Sequence, residues 1–133
     1  MRILATLALS ALALGCVHQR PSPADRQADE ALLADELRGR VAGETLSCVE
    51  ARDLGGNHAV SENAVIFNGP GNLVYVSRPA NICPGLIRDR VLVLTVASGR
   101  ICAGDVAGTY DPARNARLGA CVLGPFTPYR RAR

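Results

Sequence analysis

The chain has 133 residues, 15 basic against 12 acidic, a formal net charge of +3, 4% aromatics and no Trp. That length holds one domain at most, and a core so poor in large side chains calls for covalent staples. The basic side is carried by Arg alone, and so modest an excess leaves no electrostatic footprint for nucleic acid.

The chain opens with Met1-Arg2, a single positive charge, followed by the apolar run Ile3–Leu14. A helix crossing the hydrocarbon core needs ~20 apolar residues, so this run is of export-signal length and falls short of a membrane span. Residues 1–15 are therefore read as a signal peptide. Ala13 and Gly15 offer the small residues that an ordinary signal peptidase needs before its cut. The stretch "LALGC", residues 12–16, also resembles a bacterial lipobox, in which the cysteine becomes a lipidated N-terminus. An unpaired cysteine left near the cut would be a reactive liability in an exported protein, so lipidation of Cys16 is favoured over soluble secretion. One acyl chain holds a protein only marginally, and stable anchoring takes two or more. The three chains implied by the resemblance make Cys16 a permanent tether. Val17 follows it where inner-membrane retention would call for Asp, which favours the outer membrane.

Residues 16–42 are read as the lipidated N-terminus, a linker and a short amphipathic helix. The helix spans Ser22 to Gly39: Ser22 caps it, Pro23 takes the first helical position, and Asp25 completes a capping box. Ala28, Ala31, Leu32, Leu33 and Leu37 form a narrow apolar stripe, and Gly39 supplies the stop. We expect a spacer that packs partially on the domain.

Residues 43–133 read as a β domain. Thr45–Ala51 alternates weakly. Ala64–Asn68 and Asn72–Ser77 flank "NGPGN" and form a hairpin. Arg90–Ser98 is apolar on both faces and is expected to lie centrally in the sheet. Ser98-Gly99 turns into "RICAGD". After Tyr110, "DPARNARLG" reads as an exposed loop, and Ala120–Phe126 as the last strand. The tail after Pro128, with "YRRAR" as the densest basic patch, reads as a solvated, frayed terminus in preference to a site for anionic lipid or polysaccharide. About six short strands suggest a small antiparallel sheet forming an open barrel or sandwich.

Four cysteines remain in this domain: Cys48, Cys83, Cys102 and Cys121. An even count in a small exported chain reads as two disulfides. Structural zinc sites hold cysteines in close pairs, whereas here the separations are 35, 19 and 19 residues, and no C-x-x-C occurs. No metal and no cofactor is therefore assigned. Of the three pairings we favour Cys83 with Cys102 and Cys48 with Cys121, the second joining first and last strands where a barrel closes. Each would contribute ~3–4 kcal/mol by loop-closure entropy.

The ordered segments "CVEARDL", "ANICPGL", "RICAGD" and "ACVLGPF" resemble a family of small exported proteins of alphaproteobacteria and related bacteria whose function is unknown. The resemblance covers about Leu46 to Phe126. Members often carry a Trp where this chain has Gly-Gly-Asn-His. With no activity attached to the family, the likeness implies fold and compartment only.

Two side chains are candidates for chemistry. Asp105 in "CAGD" could hold a cation or move a proton, or it could accept backbone amides at a turn, which is the commoner role. His58 follows Gly55-Gly56-Asn57 in a loop, with Ser61, Glu62 and Asp53 nearby in sequence; an exposed loop histidine is the commoner case. "NGPGN" lacks the helix and lysine of a phosphate cradle. Glu44, Glu50 and Asp53 form no paired-carboxylate pattern. The expectation is a lipid-anchored periplasmic protein, a non-catalytic binding or envelope-accessory module with an envelope protein or glycan as partner. The alternative is a soluble secreted inhibitor or binding protein, and the third reading is a small hydrolase on His58 and Asp105.

Overall fold

The computed structural model describes residues 21–133, so the segment read as a signal peptide and Cys16 lie outside the described residues. Its first element is helix α1, Pro23–Glu36. The capping box forms as the sequence implies. The Asp25 amide donates to Ser22 Oγ at 3.1 Å, and the Ser22 amide donates to Asp25 Oδ2 at 2.9 Å. Those reciprocal bonds satisfy two of the amides that a helix start leaves free.

The strands follow in chain order as β1 (Arg40–Ala42), β2 (Cys48–Glu50), β3 (Asn57–Ser61), β4 (Ala64–Asn68) and β5 (Val74–Ser77). The second half supplies β6 (Val91–Leu94), β7 (Arg100–Cys102), β8 (Val106–Asp111), β9 (Ala116–Val122) and β10 (Phe126–Arg131). They form three sheets, ordered β1-β10-β5-β4-β3, β2-β7 and β6-β8-β9. Every pairing is antiparallel. The mainly-β class with antiparallel sheets, one N-terminal helix and two disulfides is thus what the chain adopts.

All three sheets feed one core. Val65 and Phe67 of β4, Tyr75 of β5 and Phe126 of β10 meet Val49, Ile101, Leu92 and Ala107 from the smaller sheets. Phe67 and Phe126 are fully buried and pack edge-on, ring centroids 5.6 Å apart. Because side chains alternate along a strand, Ala64, Ile66, Val74 and Val76 point to the other face of the five-stranded sheet. Leu33 of α1 covers that face, with Leu37 and Tyr129 at its margin. The Arg78 guanidinium adds a two-pronged bond to Glu30, 2.7 and 2.9 Å, which ties the helix to the chain beyond β5. The helix expected as a partly packed spacer is docked on the sheet, although of its own residues only Leu33 is buried.

Several expectations are corrected. The run Arg90–Ser98 yields only the four residues of β6, and β6 is an edge strand with Val93 45% exposed. Its two apolar faces arise because Leu92 and Leu94 face the core while Val93 lies on the open side. The stretch after Tyr110 is not a loop throughout. It turns at residues 112–115, with Asn115 at φ 51°, and returns as β9. The buried Asp111 organises that turn by accepting the amides of Ala113 and Arg114, and pairs with Arg90 at 3.1 Å. The supposed frayed tail is β10, paired to β5 on one side and β1 on the other. Pro128 has no N–H to give the ladder, but its carbonyl still accepts the Gly43 amide at 2.7 Å.

The cysteine pairing is also corrected. The bonds are Cys48–Cys102 and Cys83–Cys121. Cys48 and Cys102 stand directly opposite each other in the β2-β7 ladder, so the bond of Cys48 joins β2 to β7 and not to the strand of Cys121. Cys83 lies in the loop packed beneath β9, which carries Cys121.

Candidate functional site

Asp105 sits in the turn between β7 and β8, where Gly104 takes φ 95°. Its carboxylate accepts the Cys102 amide at 2.8 Å, and its own amide donates to the Cys102 carbonyl at 3.1 Å. This is the turn-acceptor role, and it holds the backbone beside the Cys48–Cys102 bond.

His58 lies in strand β3 and not in a loop. It faces the helix side of the sheet, opposite Ile66, with Nε2 3.9 Å from Glu36 of α1. Glu36 also stands 3.4 Å from Arg88. Ser61, three residues on, accepts the Asn63 amide through its hydroxyl. His58 on β3 and Asp105 in the β7–β8 turn therefore serve different contacts, and the structure does not bring them together.

The context "CPGL" has a structural explanation. Pro84 packs against Gly119, where a Cβ would come within 2.9 Å of the proline ring. Gly85 adopts φ 73°, a conformation that favours glycine, hard against Leu118. Thr109 Oγ1 donates to the Pro84 carbonyl at 2.7 Å, and Leu86 is fully buried. The segment is a plug, and the Cys83–Cys121 bond bolts it to β9. It serves construction.

Two surface features remain. The first is a groove of about 630 Å³ between the start of α1 and the end of β3, with Leu32, Val60 and Ile87 as apolar lining and Asp25, Asp29 and Glu62 as carboxylates. The Ser22 hydroxyl, and then the Ser22 amide, hold the Asp25 carboxyl below its ordinary range. The second is the β1-β10 ribbon, where Arg40 stands opposite Arg131 and Val41 opposite Arg130. Arg130, Arg131 and Arg133 are exposed. The sequence marks this basic patch but not its strand, because Pro128 and three closely spaced arginines look like a terminus. The alternation in "FTPYRR" was the available signal.

Among the described residues no three His, Cys, Asp or Glu side chains gather closely enough to hold a metal ion. No helix of the described residues is long and apolar enough to cross a membrane. No family model, curated protein or solved structure matches the chain, so the likeness in cysteine order carries no family assignment.

Proposed function

We propose that this chain is an exported protein, tethered through a lipidated Cys16 to the outer membrane and acting in the periplasm as a non-catalytic binding or envelope-accessory module. One observation supports this reading above others. All four cysteines of the domain are consumed in two disulfides, which leaves Cys16 as the one thiol of five without a partner. Two disulfides suit an oxidising compartment outside the cytoplasm. A leftover exposed thiol there would invite exchange or oxidation, and acylation removes it. The non-catalytic part draws support from Asp105, whose carboxylate is engaged by the Cys102 amide, and from His58, which lies apart on β3 and faces Glu36 of α1.

Intact mass of the protein from native membranes tests the reading. The expected result is an N-terminus at Cys16 carrying three acyl chains, with a gain of four protons on reduction. An unmodified N-terminus near residue 16, in protein recovered from the soluble fraction, sinks the tether and makes this a small secreted binding protein.

A further inference from the structure

Six described arginines meet no carboxylate in an ion pair: Arg26, Arg40, Arg117, Arg130, Arg131 and Arg133. Residues 1–20 contain no Asp or Glu, so that segment has no counter-ion to lend them. Four of the six lie on the β1-β10 ribbon: by strand alternation Arg40 and Arg131 share one face, Arg130 stands on the other opposite Val41, and Arg133 follows the end of β10. The ladder sets Arg40 beside Arg131. The Ala132 amide donates to the Gly39 carbonyl at 3.0 Å, fixing the backbone between Arg131 and Arg133 against the end of α1. Arg40 also donates to the Asn72 carbonyl.

A helix C-terminus attracts cations, but its dipole amounts to only about half a negative charge. That accounts for part of one arginine, not for four. Like charges held on a strand ladder repel one another, and an external anion relieves the repulsion. Guanidinium groups suit planar or tetrahedral oxyanions because they donate in a two-pronged fork.

Placement separates the candidate partners. Helix α1 has 14 residues, about 21 Å at 1.5 Å per residue. Its first turn lies seven residues after Cys16, beside the carboxylates of Asp25, Asp29 and Glu62. The ribbon lies at its far end. The start of α1, where Arg26 and Arg88 stand among those carboxylates, thus lies nearest the tether, and the ribbon is turned away from it. Protein-binding surfaces are built around a buried apolar centre, whereas β1 exposes one large apolar side chain, Val41 at 60%, beside the small Ala42.

We propose that the β1-β10 arginine ribbon docks an anionic glycan of the cell envelope, a polysaccharide bearing carboxylate or phosphate groups. The orientation, with the ribbon turned away from the anchoring membrane, rests on the tethered reading above.

The test uses mature protein purified from membranes in non-ionic detergent, with fluorescently labelled polygalacturonate as the probe. The expected result is binding at low ionic strength that weakens at least tenfold as salt screens the charges. Arg130→Gln with Arg131→Gln should weaken it at least tenfold. Arg26→Gln with Arg117→Gln, which removes the same charge elsewhere, should leave it within twofold. Circular dichroism of each variant checks that the sheets persist. Absence of binding by the native chain overturns the proposal, as does equal weakening in both double variants. Mixed micelles of phosphatidylglycerol that outcompete polygalacturonate at equal charge also overturn it. Protein found in the soluble fraction that still binds through the ribbon overturns the tether while supporting the docking; tethered protein that does not bind overturns the docking alone.

Discussion

The Asn57 side chain and the Leu92 backbone complete each other's hydrogen bonding across the seam between two sheets. Asn57 Nδ2 donates to the Leu92 carbonyl at 3.0 Å, and the Leu92 amide donates to Asn57 Oδ1 at 2.7 Å. An amide side chain thus stands in for a backbone partner where β3 and β6 stop short of forming a ladder. Two main-chain bonds continue the seam, from the Ala59 amide to the Arg90 carbonyl and from the Asp89 amide to the Ala59 carbonyl. Asn57→Ala leaves a half-buried donor and acceptor unmet, at a cost of about 1–3 kcal/mol in urea unfolding. Asn57→Asp should cost as much at neutral pH, because a carboxylate oxygen then faces the Leu92 carbonyl. Below about pH 4 the protonated acid can donate again, so the gap to the parent should narrow. A gap that widens with acid would show that the side chain does not bridge the sheets.

The two disulfides differ in exposure, and that sets their order of reduction. Cys83 and Cys121 are 1% and 2% exposed, while Cys48 and Cys102 are only partly covered. Under mild dithiothreitol without denaturant, alkylation should label Cys48 and Cys102 first. Labelling of the buried pair should track global unfolding. Their sequence separations of 54 and 38 give loop-closure contributions of about 4 kcal/mol each. Mass mapping that finds Cys83 and Cys121 reacting first would contradict the burial of the plug.

Local signals in the sequence were read correctly and distant ones were not. Ser22, Pro23 and Asp25 act within one helical turn, so the cap was legible; so was the hairpin across "NGPGN", whose strands are separated by a few residues. The presence of two disulfides followed from the cysteine count. Their pairing did not, because it depends on β2 finding β7 across 54 residues, a tertiary choice with no local trace. Strand β3 escaped notice because its pairing is irregular at Ala59/Ser61, which breaks the alternation that marks a strand. That placed His58 in a loop. Asp105 was legible as a turn acceptor because it lies three residues from the amide it accepts. The basic patch at the tail was legible, but its place in a ladder was not, since charge and Pro128 disguised the strand.

The capping box predicts an acid-dependent loosening of α1. In the folded chain the Asp25 carboxyl titrates below its usual value because Ser22 donates to it. A depressed folded value contributes stability above the ordinary aspartate range, near ~3.9, that is lost as pH falls through the lower folded value. Amide exchange of residues 24–27 should therefore quicken as the solution is acidified through that window, beyond its intrinsic pH trend. Ser22→Ala removes the donor hydroxyl, should cost about 1 kcal/mol, and should blunt that dependence. If the parent and Ser22→Ala respond to acid alike, the box does not hold the helix start.

Gly124 and Gly71 offer a direct comparison between steric and conformational reasons for glycine. A Cβ at Gly124 would lie 1.8 Å from the Arg78 carbonyl oxygen and 2.9 Å from the Arg78 carbonyl carbon. Both atoms are backbone, so no rotamer change can make room. The approach is fixed from both sides: Ser77, fully buried, donates through Oγ to the Gly124 carbonyl at 3.0 Å, and Pro125 restricts the backbone of Gly124 before it. Gly71, by contrast, sits at φ 61° with open space where a Cβ would go. Alanine there meets only the left-handed backbone penalty of ~1–2 kcal/mol. Gly124→Ala must push β5 away from the β9–β10 connection and disturb Phe126 in the core, so it should cost more than about 3 kcal/mol. Urea midpoints of the two variants decide the matter. A smaller loss for Gly124→Ala than for Gly71→Ala would mean that β5 and the chain leading into β10 do not approach this closely.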